Sequence, residues 1–365
     1  MHYYEKELRA LKRSGRFRSR EIANSTLHDF ASNDYLGLAH NKQLHTQTCL
    51  ELEKADVHAP KASLLVGGYH KEHYDFERSL CQSNGFEDGV VVGSGFAANI
   101  ALIEALVRKG DVLLMDASYH ASGVLASNIG TMDKKIFEHN DMAHLEKLLF
   151  ANRDKKRRIV AVEGVYSMEG DLVPKEVFEL CAHYDAILIV DEAHSSGVVG
   201  ENLLGVYDLY DIDIASNHIK MGTLGKAYGS FGAYILASGH IVSYLLNRAK
   251  PLIYATALSL YDTVLGHRSL LYILEHKERL KKEIRLRQRL VENILDRELA
   301  SLILPIPVGD NKRVIEIKRA LEAKGFAIGA IREPTVPRAI LRIIARIGED
   351  AATFERLLIE LRNYF

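Results

Sequence analysis

The sequence predicts an α/β fold: a mostly parallel central sheet covered by helices, followed by a smaller C-terminal α/β domain. Three observations carry that expectation. Short apolar runs alternate with segments of helical periodicity. The runs are near-continuous in Val, Ile and Leu, and small or ionisable residues follow most of them. Strands covered on both faces show such continuous runs, and sheets of this kind bind ligands beyond the carboxyl ends of their strands.

Taken in order, residues 3–20 read as a polar amphipathic helix leading into DFASNDYLGLAH. Strands are expected at GVVVG (89–93), DVLLMD (111–116), RIVAVEG (158–164), AILIVDE (186–192), IDIAS (212–216) and GAYILAS (232–238). Between them, FAANIALIEALVRKG (96–110) and PKEVFELCAHY (174–184) carry the helical period. A long charged helix over 264–297 follows the last strand, and TFERLLIELRN (353–363) closes the chain. The implied division is an N-terminal helical segment at 1–30, a large domain at 31–250, and the long helix with a small domain at 251–365.

Composition narrows the function classes. The chain has 365 residues, 47% hydrophobic and 26% charged, with a formal net charge of −1. No global field favours nucleic acid or an anionic membrane, so neither is expected as a partner. Cys49, Cys81 and Cys181 form no CxxC or Cys/His ligand pair, so no metal site and no disulfide framework is expected. The N-terminal MHYYEKELRALKRSGRFRSR is too charged for a signal peptide. No run approaches the roughly 18 apolar residues of a membrane span. A cytoplasmic protein is expected.

The strand ends carry the chemistry. DEAHSSGVVG (191–200) follows directly on AILIV, with two carboxylates and a histidine in four residues. GSGFAAN (93–99) offers a strand, then Gly-x-Gly, then a helix N-terminus, where free N–H groups favour a phosphate. Ala98 stands where the third glycine of a dinucleotide motif would come. In GTLGKAYGSFG, Lys226 lies among four glycines and near Thr223. A lysine so held can lose its proton and form a Schiff base. Pyridoxal 5′-phosphate needs such a lysine, a phosphate cradle and an acidic partner for its ring nitrogen. Asp191 suits the last role, His194 is spaced to meet the ring's phenolic oxygen, and His120 of DASYHAS suits stacking on the ring face.

These residues lie in motifs that resemble a known family. SNDYLGL (32–38), GSGFAAN, EGVYSMEGD (163–171), DEAHSSGVVG and TLGKAYGSFG are similar to those of the α-oxoamine synthases, fold-type I pyridoxal phosphate transferases. The resemblance runs from about residue 30 to the C-terminus. It implies condensation of an amino acid with an acyl thioester and loss of carbon dioxide. It also implies Lys226 as the Schiff-base lysine, Asp191 on the ring nitrogen, His194 on the phenolic oxygen and His120 stacked. Gly95, Phe96 and Thr223 fall near the phosphate, and Ser167 beside the cofactor. Thr256 matches a position reaching the neighbouring subunit's phosphate, which implies a homodimer with shared active sites. Asn33 and Arg342 fall on the amino-acid substrate, with Arg338 a rival for its carboxylate.

The chain departs from the family where Leu64 replaces a usual arginine, and where TVPRAILRI is two residues short. Within the family, AIREPTVP (330–337) most resembles the branch acting on L-alanine and a pimeloyl thioester, carried on coenzyme A or an acyl carrier protein. A branch using glycine and acetyl-coenzyme A, or a related aminotransferase, is the alternative. Arg13, Arg16 and Arg18 are all candidates for the acyl donor. The Lys- and Arg-rich stretch at 276–290 reads as a solvated helix face or as a landing site for an acidic carrier protein.

Overall fold

The computed structural model describes residues 3–20, 22–129 and 132–365. Among them are eleven strands. β1 is His28–Phe30. β2 to β8 are Asp88–Val92, Val112–Asp116, Asp133–Phe137, Arg158–Glu163, Ile187–Asp191, His218–Thr223 and Ala233–Ala237. β9 to β11 are Ile303–Pro307, Phe326–Ile331 and Ile340–Ile344. The chain forms two compact units, one of Asp34–Ser167 with Asp171–Lys282, the other of Met1–Asn33, Met168–Gly170 and Glu283–Phe365.

The larger unit holds a seven-stranded sheet in the order β2-β8-β7-β6-β5-β3-β4. β8 runs antiparallel to both of its neighbours, and the other pairs are parallel. Helix Gly95–Leu106 packs on β7 and β8, Glu176–His183 on β6, and Met142–Ala151 on β3 and β4. These covers explain the uninterrupted apolar runs, because neither face of the central strands meets water. Val90, Leu102, Leu113, Met115, Ile189, Ile219 and Ile235 form the core between them.

Three segments of this unit depart from expectation. IDIAS is a surface segment in which Asp213 is exposed and Ile212 and Ile214 are only half-buried. Its apolar alternation covers the unit's edge without joining a ladder. The strand in that place is β7, HIKMGT, whose apolar pattern is broken by Lys220. That lysine is fully buried, 3.8 Å from Glu192, and donates to Asn84 Oδ1 at 2.8 Å. A buried charge needs such partners, and in sequence it mimics a solvent-facing residue. The edge strand β4, DKKIF, is polar for the opposite reason: Lys135 sits toward solvent.

The smaller unit holds a four-stranded sheet in the order β1-β10-β11-β9. β1 is parallel to β10, and the remaining pairs are antiparallel. Phe30 and Phe354 pack with ring centroids 5.5 Å apart. Asp350 caps the closing helix Ala351–Arg362 by accepting from Thr353 N at 2.9 Å. Helix Leu260–Leu295 is 36 residues long, and its basic stretch is not wholly a solvated face. Lys281 turns onto Glu201 at 2.7 Å, and buried Arg287 donates to Glu349 O at 2.6 Å. Arg279, Lys282, Arg285 and Arg289 remain exposed. Among the described residues no helix is long and apolar enough to cross a membrane.

Candidate active site

In the larger unit, a cavity of about 240 Å³ opens at the carboxyl ends of the central strands. Its lining brings together Gly95, Phe96, His120, Asp191, His194, Thr223 and Lys226, as well as Asn99, Glu163, Ala193 and Met221. Parallel pairing is the cause: Asp191 closes β6, Thr223 closes β7, and their carboxyl ends share one edge of the sheet.

Asp191 is buried and accepts on both oxygens. Ala193 N donates to Oδ1 at 3.0 Å, and Asn99 Nδ2 donates to Oδ2 at 2.8 Å. Asn99 is itself held, accepting from the Tyr119 hydroxyl at 2.7 Å and donating to Ser122 Oγ at 3.0 Å. The carboxylate is thereby oriented by two neutral donors. Glu192, the adjacent residue, points the other way. It accepts from the Ser195 hydroxyl and from Val206 N, and it lies 3.8 Å from Lys220. Burial pulls the Lys220 ammonium's pKa down, against the pull of Glu192 and Asp208.

His194 bridges two groups. Its Nε2 lies 2.9 Å from Lys226 Nζ, and its Nδ1 lies 2.6 Å from the hydroxyl of Tyr35, a side chain with no exposed surface. His120 caps the helix Ala121–Ser127, with Nδ1 2.7 Å from Ser122 Oγ. Desolvation draws its pKa below the usual imidazole value; Asp191 opposes that and Lys226 adds to it. A neutral ring suits a face that must lie flat against another aromatic ring.

The anion cradle begins at Ser94, whose side chain accepts from Ala97 N at 3.1 Å and caps the helix Gly95–Leu106. A Cβ on Gly95 would stand 2.5 Å from Thr223 Cγ2. A side chain there would force Thr223 to shift, so glycine is what lets a ligand approach the backbone N–H groups of this helix start. Pyridoxal phosphate fits this donor set. The cradle suits its phosphate, the braced carboxylate suits a ring nitrogen that must stay protonated, and Lys226 is within the same cavity.

Two of the cofactor candidates do not line it. Ser167 is buried nearby, its backbone N donating to Glu163 Oε2 at 3.0 Å. Thr256 is exposed and pairs with Ser63 across an isolated bridge. In the smaller unit, buried Arg342 on β11 donates to Asn33 Oδ1 at 2.9 Å, whereas Arg338 is exposed. Sequence reasoning overlooked Asn99, Glu163 and Tyr35 although it quoted the motifs that contain them. Asn99 was legible: it lies four residues after Gly95, on the same helix face.

The sequence profile of the class I and II aminotransferases matches residues 25–360. A protein of Helicobacter pylori named 8-amino-7-oxononanoate synthase is 40% identical over 362 residues, covering 99% of this chain and 97% of that one. A putative 8-amino-7-oxononanoate synthase of Aquifex aeolicus is 35% identical, covering 98% and 97%. Among solved structures, a serine palmitoyltransferase from S. paucimobilis superposes with a TM-score of 0.89 at 22% identity, covering 99% of this chain and 96% of that one. An 8-amino-7-oxononanoate synthase from Francisella tularensis superposes with a TM-score of 0.76 at 25% identity, covering 93% and 99%. The chain belongs to the class I and II aminotransferase family and, within it, to the α-oxoamine synthases, pyridoxal phosphate-dependent acyltransferases.

Proposed function

We propose that the protein condenses L-alanine with a pimeloyl thioester, releasing carbon dioxide and the free thiol, to give 8-amino-7-oxononanoate in biotin biosynthesis. The observation that carries this reading is the near full-length, 40% identity to the Helicobacter pylori enzyme of that name. AIREPTVP, the sequence feature that favours alanine and pimeloyl over the other branches, lies within the aligned span.

When bound, pyridoxal phosphate supplies an electron sink for the bonds broken at the amino acid's Cα. Asp191, held by Asn99 and Ala193, would keep a proton on the ring nitrogen, without which that sink is weak. Lys226 would hold the cofactor, and its amine, when free, would take the proton from the amino acid's Cα. His194 would meet the cofactor's phenolic oxygen, and His120 would cover one ring face. Gly95, Phe96 and Thr223 would hold its phosphate, and Ser167 would support it. Arg342 forks onto the alanine carboxylate, with Asn33 steadying the guanidinium, a geometry suited to a bidentate contact. Holding that carboxylate until acylation is complete times its departure.

The working form is a homodimer in which Thr256 meets the phosphate of the other subunit's cofactor. Exposed Thr256, flanked by Tyr254 at 78% exposure and bridged to Ser63 near Val66 at 75%, supports an apolar surface awaiting a second copy. A cytoplasmic setting suits its free Cys49, Cys81 and Cys181.

The test is a product assay. L-alanine, glycine and L-serine are each paired with pimeloyl, acetyl and palmitoyl thioesters, on coenzyme A and on acyl carrier protein. Alanine with pimeloyl is expected to turn over fastest on at least one carrier. Faster turnover of any other pair overturns the substrate assignment.

A further inference from the structure

We propose that Tyr35 is a positioning residue that holds His194 in the tautomer presenting an Nε2 proton to the cofactor cavity. The two side chains come from distant parts of the larger unit, 159 residues apart in sequence, and meet at 2.6 Å through the tyrosine hydroxyl and Nδ1. Their rings stand edge-on, with an interplanar angle of 75° and centroids 6.1 Å apart, which aims the hydroxyl at the imidazole edge rather than at its face. Tyr35 has no exposed surface and His194 only 5%.

A neutral imidazole has one donor and one acceptor nitrogen, and the partner of one nitrogen decides the role of the other. With Tyr35 donating to Nδ1, the proton resides on Nε2 at the cavity wall, where it donates across 2.9 Å to Lys226 Nζ when that nitrogen carries a lone pair, as a free amine or a Schiff base does. His194 is then a donor, matched to an electron-rich oxygen such as a phenolate. In the opposite tautomer it would offer a lone pair there, and two acceptors would face each other. Tyr35 is not among the residues lining the cavity; it acts through His194. The inference rests on reading the cavity as the cofactor site, but not on which amino acid or thioester is used.

The first measurement needs no substrate. In the full-length, cofactor-loaded protein labelled with ring-¹⁵N histidine, His194 is identified among the sixteen histidines by the resonance lost in His194→Asn. Wild type is expected to show an unprotonated Nδ1 and a protonated Nε2, and Tyr35→Phe a mixture or the reverse. A wild-type Nδ1–H, or an unchanged tautomer in Tyr35→Phe, overturns the proposal. The second measurement is the pH midpoint of the bound cofactor's visible absorption in the loaded protein. Tyr35→Phe is expected to move it by about threefold in proton concentration, ~0.5 pH unit. Combined with His194→Asn, the same substitution is expected to move it no further. An equal shift in both backgrounds would show that Tyr35 acts by general packing and not through His194.

Discussion

Lys226 Nζ and His194 Nε2 lie 2.9 Å apart, although 32 residues separate them in sequence. The lysine expected to carry the cofactor therefore shares a hydrogen bond with the histidine expected to meet that cofactor's phenolic oxygen. The other lysine near this sheet edge, Lys220, is fully buried against Glu192, Asn84 and the Leu204 carbonyl. Lys226→Ala should abolish the borohydride-trappable covalent adduct, measured by mass spectrometry. An adduct surviving on Lys220 would refute the assignment.

Asp191 and Glu192 are adjacent yet serve opposite faces of the strand end. Asp191→Asn should retain cofactor by equilibrium dialysis but lose on the order of 10²–10³ in kcat, the scale of a preorganised electrostatic contact. Activity within about tenfold of wild type would mean that the pyridine nitrogen does not depend on Asp191. Glu192 cannot substitute without taking the carboxylate away from buried Lys220, which would keep only the neutral oxygens of Asn84 and Leu204. Asn99→Ala removes one brace from Asp191 and should cost less, about tenfold, the worth of one hydrogen bond to a charged group.

Arg342 is buried and joined to Asn33, whereas Arg338 is exposed. Arg342→Ala should raise the KM for alanine by at least tenfold, about 1.4 kcal/mol of binding, and change that for the thioester far less. Arg338→Ala should leave both within about twofold. The reverse pattern would shift the carboxylate contact to Arg338.

His139 lies between two carboxylates, Nδ1 2.9 Å from Asp116 Oδ1 and Nε2 3.1 Å from Asp171 Oδ2. Burial by itself disfavours its charge, but these hydrogen bonds prevail and push its pKa up to about 10. The folded value is above the unfolded one, so the stabilisation is complete below about pH 6.5 and is lost as pH rises through about 10. Denaturant melts should show wild type losing stability between neutral pH and pH 10 more steeply than His139→Gln. Parallel pH profiles for the two proteins would contradict this.

Much was determined by the sequence alone. The α/β class followed from continuous Val/Ile/Leu runs, because strands covered on both faces cannot alternate. The cavity followed from what comes after those runs: Asp191, His194, Thr223, Lys226 and the Gly95 cradle all sit at strand or helix ends, where local order predicts position. Tertiary structure decided the rest. Lys220 made β7 look solvent-facing because its partners, Glu192 and Asn84, lie 28 and 136 positions away. The split between Asp191 and Glu192 depends on which face of the strand end each carboxylate leaves from, and DEAH reads the same either way. Tyr35 acquires a role only when SNDYLGL folds beside DEAHSSGVVG, and Arg342 is distinguished from Arg338 only by burial against Asn33. Periodicity records how a segment meets water, whereas hydrogen-bond partners distant in sequence leave no trace in it.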